Sequence, residues 1–248
     1  MTDKPVALVT GGASGLGAAI VGHFARQGWG VTMNYRDQAK ADALCADLEQ
    51  AGTAARVLRV RADVTDRAEV RQMFDDTVET FGKVDFLINC AGFNRDAPFL
   101  EMTDEDWDSV VAVHLKGTFI CCQEYVFHNP ASPGHIINLG ATCGFQGRKN
   151  GTNFCSAKGG VLALTKCLAR ELAPRIQVNC LIPGQVDTPE VRTRYHLDRP
   201  GELEKVASGI PMGRIGAVED VTHMVGSILE ARFTTGTCFF VNGGDFMH

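Results

Sequence analysis

Apolar residues fall into two alternating kinds of run along this chain. Short, nearly unbroken stretches rich in β-branched residues occupy 5–10, 30–35, 55–62, 86–89, 135–139, 176–182 and 238–241, and these predict strands. Between them apolar positions return at helical period, which predicts helices over 39–50, 67–81, 104–127, 157–172 and 218–229, with another through Ile20, Val21 and Phe24. Strands that are apolar on both faces, each followed by a crossover helix, belong to a parallel sheet covered on both sides. The expected fold is therefore α/β, a single-domain Rossmann-type doubly wound parallel sheet. No repeat, low-complexity tract or linker interrupts it, so one domain spans 1–248. The least regular stretch, 188–212, holds Pro189, Pro200 and Pro211 among mixed charges and reads as a surface lid.

Composition narrows the function classes. The 248 residues carry 24 basic and 29 acidic side chains, a net charge of −5, with 45% hydrophobic and 21% charged residues. Such a balance excludes disorder and fibrous structure. It also supplies no basic stripe for a phosphate backbone, so nucleic acid is not an expected partner. No run approaches the roughly 20 apolar residues of a membrane span. The N-terminal apolar run Val6–Val9 stops at Thr10 and two glycines, unlike a signal peptide, and a cytoplasmic location follows. The nine cysteines are scattered, Cys121 and Cys122 being the only close pair, with no metal-type spacing. They read as small buried hydrophobes, and no metal site is expected.

Chemistry begins at the first strand's end. Thr10-Gly11-Gly12-Ala13-Ser14-Gly15-Leu16-Gly17 lies between that strand and an apolar helix, the context in which a glycine pattern has meaning. Glycines at 11, 15 and 17 let backbone approach a pyrophosphate, whose charge the amides at a helix N-terminus meet. The end of the second strand, Asn34-Tyr35-Arg36-Asp37, should hold the adenosine ribose. Tyr35 stands where an acid would bind a free 2′-hydroxyl, and Arg36 can bond a 2′-phosphate, so NADP(H) is favoured over NAD(H). Asp37 falls late for ribose binding and is either solvated or paired with Arg36.

With these residues in view the chain resembles the short-chain dehydrogenase/reductase family over its whole length. Further motifs carry the likeness: Asp63-Val64, Asn89-Cys90-Ala91-Gly92, Pro183-Gly184 followed by Val186 and Thr188, and the closing Val241-Asn242-Gly243-Gly244. The resemblance implies an adenine contact at Asp63 and Val64, a cofactor-side turn at Asn89, Ala91 and Gly92, and a nicotinamide side at Pro183, Gly184, Val186 and Thr188. It also implies hydride transfer between nicotinamide and a ketone or secondary alcohol. The family uses a Ser to orient substrate oxygen, a Tyr to move the proton, a Lys four residues later to bind ribose and lower the Tyr pKa, and an Asn to anchor a relay water. A phenol beside a cation can protonate the alkoxide near neutral pH, and a spacing of four puts Tyr and Lys on one helix face.

This chain departs from that pattern. The Tyr position holds Phe154 in Phe154-Cys155-Ser156-Ala157-Lys158, the Ser position holds Ala141, and the Asn position holds His114 in Val113-His114-Leu115-Lys116-Gly117; of the four, Lys158 matches. A phenyl ring moves no proton and alanine binds no oxyanion. Three accounts stay open. Ala141 and Phe154 are oxygen-deleting replacements made in an active reductase to trap substrate; or the enzyme moves its proton through His114, Tyr195 or a water; or the protein binds NADP without catalysis. His114 enters because an imidazole's unperturbed pKa near 6.5 suits proton transfer. Tyr195 enters because Tyr35 and Tyr125 lie elsewhere. Cys143 and Cys155 flank the pocket, but no base accompanies either thiol.

The second-strand sequence and the VHLKG segment are most similar to 3-oxoacyl-carrier-protein reductase-like members, which points to ketone reduction. The same resemblance implies a homodimer or homotetramer, built on helices near 104–127 and 157–172, the latter carrying Val161, Leu164, Leu168 and Leu172 at helical period.

Overall fold

In a computed structural model that describes residues 4–53 and 56–247, the seven apolar runs become one sheet. Its strands are β1 (Val6–Thr10), β2 (Gly30–Tyr35), β3 (Val57–Arg61), β4 (Phe86–Asn89), β5 (Gly134–Leu139), β6 (Ile176–Pro183) and β7 (Cys238–Val241). They lie in the order β3-β2-β1-β4-β5-β6-β7, and every pairing is parallel. Predicted strand bounds hold within about two residues, Ala55 lying outside the described residues. β1 and β2 are buried at every position, as sequences apolar on both faces require.

The order turns back on itself at β1, where the chain runs β1 to β3 toward one edge and then crosses to β4. The crevice above the carboxyl ends of β1 and β4 is the place a doubly wound sheet binds ligands. Helix α1 (Gly15–Arg26) opens directly over it and buries Ile20, Val21 and Phe24 against the sheet. Helices α2 (Gln38–Gln50) and α3 (Arg67–Phe81) start on aspartates: Asp37 accepts from Lys40 N, and Asp66 from Ala68 N and Glu69 N.

Two helices differ from expectation. The long helix predicted over 104–127 is α4 (Asp104–Val111) and α5 (Thr118–His128) joined by a π-helical turn, Ala112–Gly117. Gly117 lies so close to Val64 that a Cβ would stand 2.8 Å from its Cγ2, and Thr118 turns its hydroxyl back to the His114 carbonyl at 2.7 Å. The widened turn fits this contact, and π turns gather at functional sites. After the short α6 (Cys143–Gln146), α7 (Thr152–Leu172) begins five residues before the predicted start, 157 − 152 = 5, so Phe154 and Lys158 share its first turns. Three of the four stripe residues face inward: Val161 is 1% exposed, and Leu168 and Leu172 pack on the core between α3 and α5, while Leu164 is half-buried.

The irregular stretch holds two short helices, α8 (Pro189–Tyr195) and α9 (Glu202–Ser208), before α10 (Val218–Glu230) returns to the sheet. Thr188 caps α8 by accepting from Val191 N. No helix among the described residues is long and apolar enough to cross a membrane.

Candidate active site

The glycine loop is held from below by polar side chains of the strands. Thr10 Oγ1 accepts from Cys90 N at 3.0 Å and Ala91 N at 3.1 Å, tying the end of β1 to the turn after β4. Asn34 Oδ1 accepts from Gly11 N at 3.1 Å while its Nδ2 donates to Ala62 O at 2.9 Å. Asn34 thus positions the loop, a role that its place beside Tyr35 in the sequence did not announce. Gly11 has φ +63° and would drive a Cβ within 2.7 Å of Ala91 Cα; a Cβ at Gly17 would stand 2.2 Å from Gly11 O. Both positions require glycine.

Two cavities meet above this loop, sharing Gly11, Ser14, Gly92 and Phe93. One, of about 290 Å³, is lined by Tyr35, Arg36, Lys40, Asp63, Val64 and Ala91. Arg36 reaches Asp63 Oδ2 at 3.3 Å and stays largely exposed. Asp37 does not pair with Arg36: it caps α2 and lies 3.5 Å from Lys40 Nζ. Tyr35 donates to Gln38 Oε1 at 2.9 Å. The other cavity, about 340 Å³, has Gly15, Leu16, Pro183, Gly184, Val186 and Thr188 on one side and His114, Ala141, Phe154 and Lys158 on the other. Asn89 and Gly17 line neither space. Asn89 is buried, donating to Asn138 Oδ1 at 2.9 Å, and supports the turn from beneath.

The four positions singled out in the sequence converge on one wall. Lys158 is 7% exposed and donates to the Leu139 carbonyl at 2.5 Å. Burial holds its ammonium below the ordinary lysine range, and no carboxylate pairs with it among the described residues. Two cations lie near the Phe154 ring, Lys158 Nζ at 5.6 Å and Arg148 Cζ at 5.1 Å from its centroid, contacts favoured by the ring quadrupole. His114 meets Phe154 edge-on, with centroids 4.9 Å apart and planes at 88°.

The His114 ring is 4% exposed and its Nε2 lies 2.7 Å from Phe93 O and 3.2 Å from Phe93 N, a donor to the first or an acceptor from the second according to the tautomer. Burial, then the charge of Lys158, pushes its pKa down to about 3. That shift takes His114 away from the value near 6.5 of an unperturbed imidazole and favours its neutral form near pH 7. Its Nδ1 is buried without a protein partner. Cys143 lines the cleft, and burial first, then the neighbouring Cys155, pushes it up to about 12. A protonated thiol of this kind is a poor nucleophile.

Tyr195 also lines the cleft, its hydroxyl accepting from Gln185 Nε2 at 2.9 Å. Tyr125 is buried far from the cleft and donates to Asp85 O at 2.6 Å. At the mouth, Asp96 accepts from Arg148 at 2.7 Å and from Arg194 of α8 at 3.0 Å, tying the lid to the body. Asp96 had no motif around it in the sequence. No group of three or more His, Cys, Asp or Glu side chains among the described residues is placed to hold a metal ion.

A parallel sheet with a glycine-lined crevice at its switch point, a helix N-terminus above it and a buried lysine at the far end defines a dinucleotide-binding oxidoreductase fold. Comparison with known proteins agrees. Residues 11–245 match the family model described as enoyl-(acyl carrier protein) reductase. The 3-oxoacyl-[acyl-carrier-protein] reductase FabG of Thermotoga maritima is 35% identical over 246 residues, 98% of each chain. The short-chain reductase protein NovJ of Streptomyces niveus is also 35% identical, covering 98% of this chain and 95% of its own. The crystal structure of a short-chain dehydrogenase/reductase, glucose/ribitol dehydrogenase, from Brucella melitensis superposes with a TM-score of 0.90 at 27% identity, covering 98% and 97% of the two chains. The chain belongs to the short-chain dehydrogenase/reductase family of oxidoreductases.

Proposed function

We propose that this protein binds NADP(H) and is built around a ketone or secondary alcohol substrate, with Ala141 and Phe154 at the Ser and Tyr positions leaving ordinary carbonyl reduction disabled. The observation that carries the reading is the convergence of Ala141, Phe154, Lys158 and His114 on one cleft wall, with no hydroxyl at 141 or 154. The coenzyme fits the crevice because Gly11 and Gly17 leave no room for a Cβ and Ser14, the N-cap of α1, spends no side-chain bond on the helix. Arg36 and Lys40 face the adenosine compartment and suit a 2′-phosphate. Bound there, a reduced nicotinamide supplies a hydride to a carbonyl carbon.

The chain's own residues then face an alkoxide. Lys158 sits at the cleft floor and gives one of its N–H donors to Leu139 O. His114 keeps Nε2 on the Phe93 backbone and has a buried Nδ1 without a protein partner. Ala141 and Phe154, at the positions of the family's Ser and Tyr, have no proton to give the alkoxide. A second reading rests on Tyr195, whose hydroxyl shares the cleft and is held by Gln185. There the lid tyrosine moves the proton, and Tyr195→Phe abolishes turnover by the unaltered chain.

The test restores Ser at 141 and Tyr at 154 and follows NADPH oxidation against a panel of ketones. General acid catalysis is worth about 10²- to 10⁴-fold and an oxyanion donor about 10²- to 10³-fold; allowing for non-additivity, a gain of roughly 10³-fold or more is expected. Calorimetry should find NADPH bound tightly by both forms. Unaltered protein that already turns over at the restored rate refutes the disabled reading, and absence of NADPH affinity refutes the whole.

For assembly, a cytoplasmic homodimer or homotetramer is the reading. Exposed Phe119 and Phe127 on α5, at 41% and 63%, support a partner face there.

A further inference from the structure

Nothing in the proposed reaction uses the thiols, yet the fold sets two of them side by side on the sheet. Cys180 of β6 and Cys238 of β7 are register partners on adjacent parallel strands. Such partners point to the same face, and both join the apolar cluster of Val161, Leu162 and Ile182. Register and cluster together set the two thiols as neighbours. Neighbouring strands run about 4.7–4.9 Å apart, inside the roughly 4.4–6.8 Å between Cα atoms that a disulfide spans.

The two cysteines differ in access and in charge. Cys180 is fully buried, whereas Cys238 is part-exposed on the edge strand of the sheet. The neighbouring Cys180, helped by the ammonium of Lys166 on α7 and opposed by burial, brings the Cys238 thiol down to about 7. Cys180 is pushed the other way, by Cys238 first and burial second. One member is therefore a thiolate in part at neutral pH, the state that reacts, and its neighbour keeps a proton.

We propose that Cys180 and Cys238 form a redox modification site, at which a hydroperoxide oxidises Cys238 and Cys180 closes a disulfide. The Cys238 thiolate attacks the peroxide oxygen, the O–O bond breaks, and a sulfenic acid and hydroxide form. The Cys180 thiol then displaces hydroxide from that sulfur, giving the S–S bond and water. Both sulfurs are oxidised and the peroxide is reduced to water, in the usual order of this ladder. The consequence reaches the cleft because Cys180 underlies Gly140, where a Cβ would stand 2.7 Å from its Sγ, and Gly140 adjoins the carbonyl that holds Lys158. Drawing Cys180 toward β7 loosens the floor beneath that lysine. The site does not depend on the carbonyl chemistry proposed above.

The test treats the purified full-length chain with stoichiometric hydrogen peroxide, alkylates the remaining thiols and maps peptides by mass spectrometry without reductant. A linked peptide joining Cys180 and Cys238, cleaved by dithiothreitol, is expected. In Cys180→Ser, Cys238 should instead be trapped by dimedone as the sulfenic acid; in Cys238→Ser, Cys180 should stay reduced. Three results overturn the proposal: Cys238 carried to the sulfinic acid without a link, oxidation confined to exposed Cys167, or a link through Cys143 and Cys155. The readout is covalent, so it is decided whether or not NADPH binds.

Discussion

Gly92 can be tested against its neighbour. A Cβ there would lie 2.1 Å from His114 Cε1, 2.8 Å from Nδ1 and 2.9 Å from Nε2. Carbon atoms in contact sit about 3.5–4.0 Å apart, so Gly92→Ala requires the imidazole to retreat by roughly 1.4 Å or more. The ring has little freedom: it is bonded to Phe93 O, packed edge-on to Phe154 and almost fully buried. Overpacking costs about 1–3 kcal/mol, and breaking the Nε2 bond adds about 1 kcal/mol or more. A total near 2–4 kcal/mol follows, a fall in Tm of roughly 4–16 °C for a domain of this size. Removing the obstacle should remove the penalty. In the His114→Ala background, Gly92→Ala is expected to cost less than about 0.5 kcal/mol, so the double-mutant coupling approaches the full single-mutant value. Differential scanning calorimetry on the four proteins measures it. Equal losses in both backgrounds would show that Gly92 is required for something other than the His114 ring.

Two further predictions concern the charges that brace the fold and its lid. Glu124 on α5 has a side chain 1% exposed, paired with Arg67 and Arg71 of α3 at 3.1 and 3.2 Å; burial raises its pKa but the two arginines outweigh it, so the net shift is downward. A depressed carboxyl stabilises above its unfolded pKa and loses that contribution as pH falls through the folded one, so Glu124→Gln should cost about 1–3 kcal/mol at neutral pH, toward the low side because both guanidiniums are part-exposed. The Tm gap between the two proteins should narrow as pH drops below the carboxylate range, and a gap independent of pH would refute the pairing. Asp96→Asn removes the charge shared by Arg148 and Arg194 and should speed amide exchange over 189–195 by roughly 2- to 10-fold, from about 0.5–1.5 kcal/mol of lost tethering; unchanged exchange there would mean that α8 is held by packing alone.

The sheet could be read from the sequence because each strand is apolar on both faces, and the glycine loop because it stands between a strand and a helix. The helix starts at Asp37 and Asp66 also follow from local chemistry. What sequence reasoning missed depends on contacts made at a distance. The first turn of α7 carries Thr152, Asn153 and Cys155, poor helix formers after an uncapped Gly151, yet α6 packing brings it into the helix. The charge state of His114 is set by burial beside Lys158, which no spacing in VHLKG reveals. Asp37 next to Arg36 left solvation and a pair with Arg36 open; the side chain is 51% exposed and caps α2 beside Lys40, a role set by the geometry of a helix N-terminus. Nor did the scattered cysteines disclose that strand register would join Cys180 to Cys238.

The widened turn at Ala112–Gly117 separates what this helix needs in order to fold from what it needs in order to work. Such a turn takes up about one residue more than ordinary helix, so shortening the segment by a single position would let the backbone close into uniform spiral with Val110 upstream and Tyr125 downstream still facing inward. The architecture would survive that deletion. The imidazole would be carried away from Phe93 and Phe154, so the surplus residue serves the cleft as well as the seat of Gly117 against Val64.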